Sequence, residues 1–133
     1  MSDLFVYGTL RFPEVLDALL GRVPELSPAR ARGWRAAALP GRVYPGLVAG
    51  HGTADGMLVR GLGPDELDVL HAYEDVDYDV VEVGLTDGRR ALAYRWLGEE
   101  PLAEDWDPEW FAREVLAAYV QGCAVWLAEY RAG

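Results

Sequence analysis

Lysine is absent from this chain, and all twelve basic residues are arginines. That excludes a phosphate-loop lysine, a Schiff-base lysine and a lysine general base. Cysteine occurs once, as Cys123, which excludes an internal disulfide and any multi-cysteine metal knot. Serine is scarce as well. Ser2 and Ser27 sit in no nucleophile-elbow context. Positive charge is in deficit: 12 basic residues face 22 acids, for a net charge of −10. Clustered basic residues are what bind a phosphate backbone, so neither nucleic acid nor an anionic membrane is an expected partner. No apolar run approaches membrane-spanning length, and Met1-Ser2-Asp3 offers no basic signal region. These absences predict a soluble, cytoplasmic protein.

What is present suffices for a core. The chain has 133 residues, of which 51% are hydrophobic and 11% aromatic, so a single domain over residues 1–133 is expected and disorder is not. Leu4-Phe5-Val6-Tyr7 is a continuously apolar strand candidate that ends at Gly8. Pro13 suits the first turn of a helix, Val15, Leu16, Leu19 and Leu20 follow at helical spacing, and Gly21 stops it. The Ala- and Arg-rich stretch from Ser27 to Leu39 reads as strand, Tyr44-Pro45-Gly46 as a turn, and Gly56 to Leu62 as a further strand. Gly63-Pro64-Asp65-Glu66 opens a second helix with the apolar stripe Leu67, Leu70 and Tyr73. Tyr78 to Leu85 and Arg90 to Leu97 form a hairpin around Asp87-Gly88. Asp107-Pro108-Glu109 caps a last helix that runs to about Tyr130, its aromatic face being core or a surface that permits a homodimer. Helices and strands do not alternate regularly. The order predicts an α+β fold: a small mixed, mostly antiparallel β-barrel or roll with flanking helices.

Two short segments are chemical candidates. A strand that ends in glycine lets the backbone turn sharply and approach a ligand, and the successive N–H groups of Gly8, Thr9 and Leu10 suit an anion nest. The same residues also fit an ordinary strand-to-helix turn. Glu74 follows the stripe of the second helix, at the negative end of its dipole. Burial beside Tyr73 would add to the dipole in raising its pKa toward the range of a general acid/base. A solvated acid fits equally. Tyr44, Tyr78 and Tyr94 either line a pocket through their hydroxyls or are buried with satisfied ones.

No metal site is expected. Asp75, Asp77 and Asp79 imitate the start of a calcium loop, but Val80 stands where that loop needs glycine and Thr86 where it needs glutamate. His51, His71 and Cys123 lack ligand spacing. The histidines read as surface residues and the cysteine as core.

The segment Leu4-Phe5-Val6-Tyr7-Gly8-Thr9-Leu10-Arg11 resembles the opening of the gamma-glutamylcyclotransferase-like family, which takes in the AIG2-like proteins and the gamma-glutamylamine cyclotransferases. The stretch from Leu67 through Tyr73-Glu74-Asp75-Val76-Asp77-Tyr78 looks like the family's second block, a helix followed by a catalytic glutamate and then a tyrosine. The resemblance covers residues 4–97. It implies a small barrel-like sheet with flanking helices, and it implies cyclisation of a γ-glutamyl group to 5-oxoproline with release of an amine, without metal or organic cofactor. By that resemblance Glu74 is the general acid/base. The substrate-binding residues are Tyr7, Gly8, Thr9, Leu10, Tyr44 and Tyr78, and the partner is a small γ-glutamyl molecule. Where family members often carry arginine two residues after the tyrosine, this chain has Val80. A non-catalytic ligand-binding or stress-linked partner module on the same scaffold is the alternative.

Overall fold

The computed structural model describes residues 3–74 and 76–133. Five strands form one sheet in the order β2-β3-β1-β5-β4, where β1 is Leu4–Val6, β2 Glu25–Ala38, β3 Pro45–Arg60, β4 Tyr78–Gly84 and β5 Arg90–Trp96. The pairs β1–β3, β2–β3 and β4–β5 are antiparallel, and β1 and β3 each touch β5 in parallel. A bridge between Ala31 on β2 and Leu85, just past β4, joins the two edges of the sheet into a small barrel. Thr86 N–H donating to the Arg30 carbonyl at 2.9 Å reinforces that seam. This is the mostly antiparallel barrel with helices that the element order predicts.

Strand alternation sorts the apolar residues into two cores. Phe5 on β1 and Tyr7 just past it pack in the barrel, among small residues such as Ala31, Ala54 and Ala93. Leu4 and Val6 point the other way, to a second core shared with the helices. Gly56 is required opposite β1, because a Cβ there would drive into the Val6 carbonyl and the Phe5 ring. A 3-10 turn, Thr9–Arg11, leads into α1, Pro13–Leu20, which ends in left-handed Gly21. The helix α2, Pro64–Tyr73, starts where Gly63 N–H donates to Glu66 and ends at Glu74.

Three sequence expectations change. The strand expected over Gly56–Leu62 is the end of a longer one, β3, which begins at Pro45. The segment before Gly56 lacks an apolar run, but it is held by pairing with β2 along most of its length, across a bulge between Arg32 and Trp34. Pro45 and Gly46 therefore lie in a strand and not in a turn; proline is tolerated at a first strand position. The single last helix is two, α3 Pro108–Glu114 and α4 Leu116–Ala132, broken at Val115 where φ is −124°. Of the acidic triplet, Asp79 is paired with Arg95 at 2.7 Å, and Asp75 lies outside the described residues.

Candidate active site

A hollow of about 310 Å³ opens where β1 ends, beside the C-terminal end of α2. Gly8, Thr9 and Leu10 line one part of it and Glu74 another. Tyr7, Tyr44 and Tyr78 line it too, so every residue singled out from the sequence as catalytic or substrate-binding faces this one space. His51 and His71 are exposed and Cys123 is buried, as read from the sequence. Among the described residues no group of His, Cys, Asp or Glu side chains is gathered to hold a metal. Val80 is 44% exposed and stands outside the hollow.

The turn after β1 is shaped by contact. A Cβ on Gly8 would come within 2.9 Å of the Pro45 ring, so only glycine lets the chain pass under the start of β3. The 3-10 turn then uses the Gly8 and Thr9 carbonyls to accept from Arg11 and Phe12 N–H, at 3.1 and 3.3 Å. No acceptor among the described residues takes the N–H of Gly8, Thr9 or Leu10. Their donors remain available to an anionic group.

Tyrosine dominates the rest of the wall. Six of the chain's seven tyrosines line the hollow: Tyr7, Tyr44, Tyr73, Tyr78, Tyr94 and Tyr119. Several hydroxyl hydrogens are already committed. Tyr7 donates to the Tyr94 carbonyl at 2.6 Å, Tyr78 to the Pro45 carbonyl at 2.5 Å, and Tyr73 to the Tyr119 hydroxyl at 2.6 Å. Tyr119 reaches Thr9 Oγ1 at 3.4 Å, and Tyr94 shares a 2.6 Å hydrogen bond with His71 Nδ1. A hydroxyl that donates to the protein keeps lone pairs that can accept, in part already used where Tyr119 accepts from Tyr73 and Tyr7 from the Leu47 backbone. The wall is thus rich in acceptors and suits a cation such as an ammonium group.

The same tyrosines are poor bases. Burial, then the charge of Glu74, hold Tyr7 and Tyr94 well above the ordinary phenol range. Burial, then neighbouring Tyr7 and Glu74, does the same for Tyr78, and burial raises Tyr73. Tyr119 is pushed up to about 12, again chiefly by burial. All five stay protonated at neutral pH. Glu74 is the carboxylate of the lining, and its charge is felt by Tyr7, Tyr78, Tyr94 and Tyr119. It caps α2, its own N–H donating to the Leu70 carbonyl at 3.2 Å, and the backbone turns extended there, at φ −68° and ψ 148°. Tyr73 and Tyr119 went unread as wall residues. They are 46 residues apart in the chain, and in the sequence each merges into the apolar stripe of its own helix.

A family model described as gamma-glutamyl cyclotransferase, AIG2-like, matches residues 4–110. AIG2-like protein C of Arabidopsis thaliana is 43% identical over 117 residues, spanning 81% of this chain and 68% of that protein. AIG2-like protein A of the same plant is 32% identical, over 84% of this chain and 67% of its own length. A solution structure of an Arabidopsis thaliana protein superposes with a TM-score of 0.71 at 29% identity, covering 91% of this chain and 87% of the other. A solved gamma-glutamyl cyclotransferase superposes with a TM-score of 0.59 over 92% of this chain and 85% of its own, at 14% identity, a likeness of fold alone.

Proposed function

The chain belongs to the gamma-glutamyl cyclotransferase, AIG2-like family, and from that premise we propose that it cyclises a γ-glutamyl amine or peptide to 5-oxoproline, with Glu74 as general acid/base. The observation that carries this reading is a shared space: Glu74 and the donors of Gly8, Thr9 and Leu10 line one hollow.

The chemistry has two demands. The substrate's α-ammonium cannot attack until it loses a proton, and its flexible chain must fold back on itself. The α-carboxylate is held by the N–H groups of Gly8, Thr9 and Leu10, with Tyr7 beside them. That places the ammonium among the tyrosine oxygens, Tyr44 and Tyr78 included, next to Glu74. Glu74 takes one ammonium proton. The freed amine attacks the γ-amide carbonyl, and a lactam C–N bond forms as the amide C–N bond breaks. The proton held on Glu74 passes to the leaving nitrogen. The attacking nitrogen gives up a second proton as it becomes the lactam N–H, and the amine departs as an ammonium at neutral pH. Holding the near-attack geometry is the main contribution such a site makes to a five-membered ring closure. No step draws on a metal or an organic cofactor.

Incubation with γ-glutamyl amines and γ-glutamyl dipeptides, read for 5-oxoproline by mass spectrometry, tests this. Wild-type protein should release it, and Glu74→Gln should lose roughly 10²- to 10⁴-fold in kcat. Binding without turnover across that panel would favour the non-catalytic module instead.

A further inference from the structure

The turn that lines the first hollow also serves a second. Gly8, Thr9 and Leu10 face the first, Arg11 faces a separate hollow of about 390 Å³, and Tyr7 is common to both. Trp34 and Trp106 both line this second space, together with small residues such as Gly52 and Ala54.

Charge in this space is unevenly settled. Asp55 is taken by Arg30 at 2.8 Å and Asp105 by Arg35 at 2.9 Å. Arg35 also donates to the carbonyls of Leu102, Ala103 and Glu104. The Trp106 indole donates to the Val43 carbonyl at 2.8 Å. The Arg11 guanidinium has no acceptor and no carboxylate partner among the described residues, and neither has the Trp34 indole N–H. Arg32 and Arg131 also lack an ion pair but stand exposed, whereas Arg11 is half-buried. A guanidinium that lines a hollow with no counter-charge of its own, in a chain of net charge −10, is a ready partner for an anion.

We propose that this second hollow binds a small carboxylate carrying a flat apolar body, with the carboxylate on Arg11 and the body between the two indoles. The guanidinium fork matches a carboxylate bidentately, and indole faces suit a flat apolar group. The carboxylate has two sources: the leaving part of a γ-glutamyl substrate, or a separate molecule. The first source rests on the cyclotransferase reading; the hollow itself does not.

The test uses the full chain with phenylacetate and its neutral counterpart phenylacetamide, followed by the NMR signals of the indole N–H groups. Phenylacetate should shift the Trp34 signal saturably and bind roughly ten-fold tighter than phenylacetamide. Arg11→Gln should abolish that preference, Arg11→Lys should keep part of it, and Arg32→Gln should leave it intact. Equal binding of the two probes, or a preference that survives Arg11→Gln, overturns the site. Kinetics on γ-glutamylphenylalanine and γ-glutamylphenethylamide then separate the sources. A KM that rises in Arg11→Gln for the carboxylate-bearing substrate alone places the leaving part in this hollow. Unchanged KM values in Arg11→Gln, with the carboxylate preference present in the wild-type protein and lost in that variant, assign it to a separate molecule. Failure of wild-type protein to turn over either substrate counts against the cyclotransferase reading, and the probe titration still decides the hollow.

Discussion

Gly8 shows how closely a single residue fixes the geometry around it. With the Pro45 ring 2.9 Å from where its Cβ would stand, Gly8→Ala must move either the turn or the start of β3. Overpacking of this kind costs about 1–3 kcal/mol. Because the displaced backbone carries the donors of Thr9 and Leu10, KM for a γ-glutamyl substrate should rise along with the loss of stability; urea unfolding and steady-state kinetics on one preparation check both. His71 makes a different contribution. Its ring meets Tyr94 edge to face, and the 2.6 Å hydrogen bond ties the last turn of α2 to β5 beside Glu74. His71→Phe keeps a ring but removes the hydrogen-bonding nitrogen, and should cost about 1 kcal/mol. His71→Asn, whose amide can donate or accept at a similar reach, should recover part of it in a thermal melt. At this scale the sequence is uneven. Tyr7 through Leu10 and Glu74 could be singled out as lining residues only through the family resemblance of two short segments, since the local pattern of each fits an ordinary turn or a solvated acid equally. The pairing of Tyr73 with Tyr119, and of His71 with Tyr94, was not legible, since both are made by residues far apart in the chain.

Elements carry these residues to one place. Glu74 reaches the hollow because α2 stops there, and Tyr78 returns to it four residues later as β4 begins. The end of β1 meets them because β1 is inserted between β3 and β5. Helix starts were readable from Pro13, Pro64 and Pro108, each at or near the first helical position. The length of β3 was not, because Gly, Ala and His in its first half carry no strand signal and it is defined by non-local pairing, mainly the ladder with β2. The break at Val115 was hidden for a related reason: apolar residues keep helical spacing across it, while the packing of Phe111 on Phe12, Trp106 and Tyr119 sets the direction of α3. The short helix α3 is anchored by Asp107, whose carboxylate accepts from Glu109 and Trp110 N–H at 3.0 and 3.2 Å. Asp107→Ala should therefore lower stability by about 1 kcal/mol, seen as a lower urea midpoint with an unchanged slope.

The whole molecule places tyrosines where one barrel end meets its helices, and this sets its response to alkali. Tyr7, Tyr73, Tyr78, Tyr94 and Tyr119 all hold their protons above the unfolded value near 10. Raised native pKa values confer stability that is complete below about pH 10. Above it the unfolded chain sheds protons that the native state keeps, so stability falls as pH rises, by up to about 1.4 kcal/mol per pH unit for each tyrosine involved. The stabilisation from Tyr119 is the first to be fully spent, at about pH 12. Urea midpoints at pH 8 and pH 11 should differ markedly; equal midpoints would mean the tyrosines are not buried as described. The barrel class itself was readable from element order, but the closure through Ala31 and Leu85 is a non-local pairing with no sequence signal. The proposed activity depends on where a γ-glutamyl group lies in the hollow. A crystal structure of Glu74→Gln with an uncleaved γ-glutamyl substrate measures this directly. It should show the α-carboxylate on the main-chain N–H groups of residues 8–10 and the α-nitrogen within hydrogen-bond reach of the side chain at position 74. A carboxylate bound elsewhere, or an α-nitrogen turned away from that side chain, would contradict the assignment.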